Sequence, residues 1–227
     1  AAGAPVPETT VAAAAPPSPE PARAPEDLWP GRFLVIAVEG EALDDDTAKL
    51  LHEVRPAGVV LRDVNLRGTA QTAELVRGIK AAAGLGPNVF DLPLLAVAQE
   101  GGAVNPLGID KAPGAAELAA AKDRDAAFEA GRAAGEAARA RGIGVLLAPM
   151  LDVLPEGAAS GAMAPRLFGS NQALAATLGI AFADGVLEGG AVPVAKYYPG
   201  LGQVRKVDDA EVQVLDAELK QLADLLY

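Results

Sequence analysis

The stretch Pro93-Leu94-Leu95-Ala96-Val97-Ala98-Gln99-Glu100-Gly101-Gly102 decides the fold. Residues 94–98 form an unbroken apolar run, too short for a helix. Such a run reads as a strand buried on both faces, the habit of parallel sheets. The glycine pair then breaks it.

The same signal recurs in both directions from this stretch. Residues 33–38, 58–61, 145–148 and 192–196 read as further short buried strands, the fourth stopped by Pro149. Between them the spacing predicts helices over 44–54, 69–83, 115–141 and 171–187, with a last one over 216–226. Asp44, Asp45 and Asp46 open the first helix, where acidic side chains suit the positive end of the helix dipole. Strand and helix alternate throughout, so the sheet is expected to be mostly parallel. The fold class is α/β. It reads as an incomplete TIM-type (β/α) barrel of about five parallel strand–helix units, because a complete barrel of eight needs about 250 residues. An open doubly wound sheet is the other arrangement the alternation allows.

The chain has 227 residues, 51% of them hydrophobic, and a formal net charge of −11. That charge disfavours nucleic acid and anionic membrane surfaces, which both need a basic face. No apolar run reaches the ~18 residues of a membrane span. There is no cysteine and one histidine, His52, which excludes disulfides, thiolate chemistry and multi-histidine metal centres. No cofactor and no metal are expected. His52 falls within the first helix pattern, away from the strand ends, and reads as a surface residue. Asp44–Asp46 reads as a solvated helix cap rather than a cation site. Gly84-Leu85-Gly86 follows a helix, not a strand, so it is no phosphate loop.

Residues 1–30 form a separate zone of Ala, Pro and Glu, and 31–227 form the β/α domain. Prolines at 5, 7, 16, 17, 19, 21, 25 and 30 forbid a regular helix and favour extended geometry. By composition this tail reads as a linker. A segment so poor in large apolar residues gains order by lying on another surface, which points to a protein partner. The small-residue start Ala1-Ala2-Gly3-Ala4 resembles what remains after a signal peptide is cleaved, so an extracytoplasmic, periplasmic location is expected.

Three stretches in order resemble the N-terminal barrel domain of glycoside hydrolase family 3, in its bacterial β-N-acetylhexosaminidase branch. Residues 93–104 are similar to the family's PLLIAVDQEGGRV. Residues 142–153 are similar to GINVNFAPVLDV and lead into Pro165-Arg166-Leu167-Phe168-Gly169, like xRSFG. Residues 196–202, Lys-Tyr-Tyr-Pro-Gly-Leu-Gly, are similar to KHFPGHG. Residues 58–61 with Asn65 and Gln71, and the closing 214–216, match more weakly. The resemblance spans about residues 33–227.

The resemblance implies retaining hydrolysis by a carboxylate nucleophile and a separate acid/base, which must flank the scissile bond. In this branch the acid/base is a histidine in an Asp-Ser-His loop after the fifth strand. The matching loop here reads Val207-Asp208-Asp209-Ala210, with Ala210 where the histidine would stand. A methyl group transfers no proton. The implied nucleophile belongs to a later strand, expected beyond Tyr227. Ala98 replaces the motif's sugar-binding aspartate and Ala103 its arginine; Tyr197 and Leu201 replace its two histidines.

Gln99, Glu100, Arg166, Lys196 and Asp208 remain as candidate ligand-binding residues, with no catalytic residue assigned. Lys196 could equally pair with Asp152 or Glu100 as a structural ion pair, and Arg166 similarly. Asp208 and Asp209 read as a solvated loop pair, although they could stand in for the lost acid/base. The expected function is a non-catalytic, glycoside-hydrolase-like structural or interaction subunit, a pseudoenzyme in a larger protein assembly. The alternatives are a saccharide-binding module, or a glycosidase of β-N-acetylhexosaminidase type whose C-terminal part is missing or supplied by another chain. The expected partners are other protein subunits, a membrane-bound assembly among them, met by residues 1–30 and by the open sheet edge. Carbohydrate is an admitted ligand and nucleic acid is not.

Overall fold

The computed structural model describes residues 30–84, 92–154, 163–198 and 200. The tail up to Trp29, the loop at 207–210, Leu201 and the helix expected over 216–226 lie outside the described residues.

Five strands form one sheet: β1 (Val35–Ala37), β2 (Gly58–Leu61), β3 (Leu94–Val97), β4 (Val145–Leu146) and β5 (Val192–Pro193). They lie side by side in chain order and every pair is parallel. This order decides between the two expected arrangements. A doubly wound sheet reverses its strand order at a switch point and takes helices on both faces. Sequential order with right-handed crossovers keeps every helix on one side, as in a barrel wall.

The helices are α1 (Asp45–Val54), α2 (Thr69–Ala83), α3 (Ala115–Ala121), α4 (Arg124–Ala140) and α5 (Gln172–Glu188). Val59, Leu61, Leu95, Val97 and Leu146 face them and are buried with Leu51, Leu75, Ile79, Ala134, Leu178 and Phe182 in one core. The opposite sheet face is the one a barrel turns inward. Among the described residues it is uncovered: Val35 is 62%, Leu94 63% and Val192 54% exposed.

Sequence and structure differ at three places. The run 33–38 is a strand only over Val35–Ala37, with Phe33 in a 3-10 turn (Pro30–Phe33) and 81% exposed, and Val35 and Leu94 show that the strands are not buried on both faces, contrary to expectation. The single helix expected over 115–141 is two helices. Lys122 adopts a left-handed conformation (φ 53°), and the Asp123 carboxylate accepts the N–H groups of Asp125 and Ala126, starting a fresh helix. Helical periodicity is blind to such a local cap. The fourth and fifth strands are shorter than their apolar runs. Beyond them the pairing continues only as a single bridge, Met150 to Lys196. Asp44 and Asn171 cap α1 and α5, their side chains accepting the N–H groups of Thr47 and Leu174.

Helices α4 and α5 cross at backbone contact distance. A Cβ on Gly131 would lie 2.0 Å from the Phe182 carbonyl oxygen, and one on Gly185 2.0 Å from that of Phe128. Only glycine fits either position. The crossing fixes α5, and with it the loop carrying Arg166 on one side and β5 carrying Lys196 on the other.

Candidate functional site

The C-terminal strand ends gather the polar residues that the apolar core excludes. Glu100, just past β3, is 5% exposed at its side chain and receives two cations. Arg166 binds it through both arms, Nε to Oε2 at 2.9 Å and Nη2 to Oε1 at 2.8 Å. Lys196 Nζ lies 2.5 Å from the same Oε1. Arg166 comes from a one-turn 3-10 helix (Ala164–Arg166), anchored by buried Leu167 and Phe168. Lys196 is held through its own backbone: its N–H donates to Pro149 O and its carbonyl accepts from Leu151 N. The Ala148–Pro149 and Lys196–Tyr197 peptides are both cis.

Burial alone would raise the Glu100 pKa. The hydrogen bonds and charges of Arg166 and Lys196 outweigh it and hold the carboxyl below its ordinary 4.5. Reciprocally, the Glu100 hydrogen bonds raise the Arg166 pKa against its own desolvation. Arg166 and Lys196 are only 19% and 14% exposed at their side chains.

Tyr197 closes one side of the cluster. Its hydroxyl is 3.5 Å from Arg166 Nη2 and its ring centroid 5.7 Å from Lys196 Nζ. The buried Asp152 carboxylate accepts the Tyr197 N–H at 3.1 Å. Glu100, Arg166 and Lys196 thus converge. Gln99 does not join them. It is 1% exposed, and both ends of its amide serve the following loop: Oε1 accepts from Leu107 N and Nε2 donates to Asn105 Oδ1. Asp208 lies outside the described residues.

Sequence reading missed a second feature of the strand ends. Between the ends of β2 and β3 lies a cleft of about 770 Å³. Ala98 and Ala103 line it, with Val60, Val64, Arg62 and Arg67. Its β2 side is pinned by Asn65, fully buried, whose amide donates to the Val38 and Gly40 carbonyls and accepts from Arg62 N. Gln71 extends the latch by accepting from Arg67 N and donating to Asn65 O. The only sequence signal was the weak match at Asn65 and Gln71; nothing marked the two arginines.

Residues 31–226 match the model of the glycosyl hydrolase family 3 N-terminal domain. The chain belongs to this family. The β-hexosaminidase of Thioalkalivibrio sulfidiphilus is 35% identical over 181 residues, 76% of this chain and 50% of its own length. That of Haemophilus influenzae strain Rd is 30% identical over 177 residues, 75% of this chain and 48% of its own. The chain therefore spans about half the length of the curated relatives it matches. Among solved structures, a glycoside hydrolase family 3 β-N-acetylglucosaminidase from Paenibacillus superposes with a TM-score of 0.74 at 28% identity, covering 89% of this chain and 38% of that one. NagZ from Neisseria gonorrhoeae shares the fold with a TM-score of 0.72 at 24% identity, over 84% of this chain and 57% of its own. In this family-3 domain the motif residues Glu100, Arg166 and Lys196 persist as one ion-paired cluster, flanked by Ala98 where the motif carries a carboxylate.

Proposed function

We propose that this family-3 domain no longer hydrolyses glycosides and serves as a non-catalytic component of a protein assembly. One observation carries the reading: the strand-end carboxylate Glu100 is buried and committed to two cations. A carboxylate so held stays ionised, donates no proton and offers little to a sugar hydroxyl. Ala98 and Tyr197 occupy the sequence positions of the motif's aspartate and histidine, and Tyr197 borders the cluster. The cluster of one carboxylate and two cations acts as a strut tying the β3 loop, the 164–166 turn and the segment after β5.

The assembly role is supported by the apolar face at Val35, Leu94 and Val192 and by the sheet edges β1 and β5, which among the described residues are uncovered and unpaired. Contiguous exposed apolar surface and bare edges mark surfaces that proteins cover. The partner on this reading is another polypeptide, met at the sheet and by residues 1–30, in an extracytoplasmic compartment. A companion that co-purifies stably supports it, and a lone monomer contradicts it.

Catalysis is tested with an aryl β-N-acetylglucosaminide. The expected result is no turnover above the blank at high protein concentration. Turnover that disappears in Asp208→Asn would overturn the proposal, because it would place a working acid/base in the 207–210 loop.

A further inference from the structure

Both walls of the cleft between β2 and β3 are held by hydrogen-bonded amides, buried at Asn65 and Gln99 and half-buried at Gln71 and Asn105. Asn65 and Gln71 fasten the β2 side. Gln99 and Asn105 fasten the β3 side, with Asn105 Oδ1 also accepting from Ile109 N and its Nδ2 donating to Ile109 O. Fully satisfied networks of this kind rigidify what they border. The cleft is therefore preformed, the usual condition of a small-molecule site.

Apolar walls and paired arginines suit a flat apolar ring better than sugar hydroxyls; Asp63 and Asn105 also line the cleft, the Asn105 amide being engaged with Gln99 and Ile109. Val60, Val64, Ala98, Ala103, Val104 and Pro106 supply apolar walls. The cationic groups are Arg62 and Arg67, which already hold Glu39 and Glu41. Arg67 is further fixed by donating to the Asp63 and Leu66 carbonyls at 3.0 and 3.2 Å. A guanidinium paired in its plane keeps its flat faces open, and those faces stack on aromatic rings. Arginines already neutralised in a chain of net charge −11 give an anion little attraction.

We infer that this cleft binds a small, uncharged planar aromatic molecule, stacked on the Arg62–Arg67 side against the Ala98–Ala103 wall. The inference rests on the reading that the strand ends no longer take sugar, but it is tested apart from turnover.

The experiment is an NMR titration of the full chain with indole, with N-acetylglucosamine and benzoate in parallel. The expected result is saturable indole binding, with shifts confined to the Ala98, Ala103 and Val64 methyls. Ala98→Asp, which puts a charge on the apolar wall, weakens binding at least ~10-fold, or ~1.4 kcal/mol. Arg67→Ala weakens it too. Ala103→Glu, at an exposed position, repeats the test should Ala98→Asp fail to fold. Absent or unsaturable indole binding, shifts elsewhere, insensitivity to these variants, or stronger binding of the sugar or benzoate each overturn the proposal. Failure here with no glycoside turnover leaves the non-catalytic reading standing.

Discussion

Glu100 concentrates the chemistry of the molecule in one carboxylate. Its ordinary reading from sequence was a residual sugar contact, with a structural ion pair as the plainer choice. The structure shows the pair, and with two cations at once. Removing one partner of a buried ion pair is costly because the others are left uncompensated. Glu100→Ala is therefore expected to lose about 3 kcal/mol in denaturant unfolding. The acid response follows from the same pairing. The folded pKa lies below the ordinary value, so the contribution is complete above the unfolded pKa and drains as pH falls through the folded one. Unfolding measured from pH 7 downward should show stability falling below about pH 4.5 in the parent. The slope should be shallower in Glu100→Gln. Equal slopes would mean that Glu100 does not titrate with folding. Gln99, adjacent in sequence, carries none of this, since alternate residues at a strand end point to different sides.

The helices show why some elements were legible and others not. Apolar periodicity located α1, α2 and α5 closely, because each turns one stripe toward the sheet. It merged α3 with α4, because their boundary is a hydrogen-bonding event at Lys122 and Asp123 rather than a change of pattern. Glycine inside a helix ordinarily weakens it, yet α4 and α5 carry it at 131 and 185. Those positions are where two backbones touch. Alanine normally favours a helix over glycine by about 1 kcal/mol, but here its Cβ strikes a carbonyl oxygen. Gly131→Ala and Gly185→Ala should each cost about 2 kcal/mol net, read from midpoints at constant slope. Gly144→Ala is the control. Its Cβ meets nothing within 4 Å and its φ is not positive. It should be neutral or stabilising by about 0.5 kcal/mol through the unfolded chain. Equal effects at all three positions would contradict the close crossing.

At the scale of the molecule, the β/α alternation was legible because each strand is a short apolar run between helical patterns. Strand order resolved what alternation left open, a barrel wall rather than a doubly wound sheet. The cleft was not legible. Its walls come from residues 60–67 and 98–106, which only the fold brings together. The family relationship explains the inherited motifs; the side chains beside them explain why inheritance of the fold need not carry the reaction. Ala98 and the clamped Glu100 make the proposal specific, namely that the strand-end site has lost its engagement with sugar. The most direct measurement is the melting temperature of the full chain across rising N-acetylglucosamine. A ligand that binds only the native state raises it with concentration. No rise is expected up to about 1 mM, a concentration on the order of 1,000 Kd for a micromolar site, where specific binding would add ~4 kcal/mol. A saturable rise, lost in Arg166→Ala or Lys196→Ala, would contradict it.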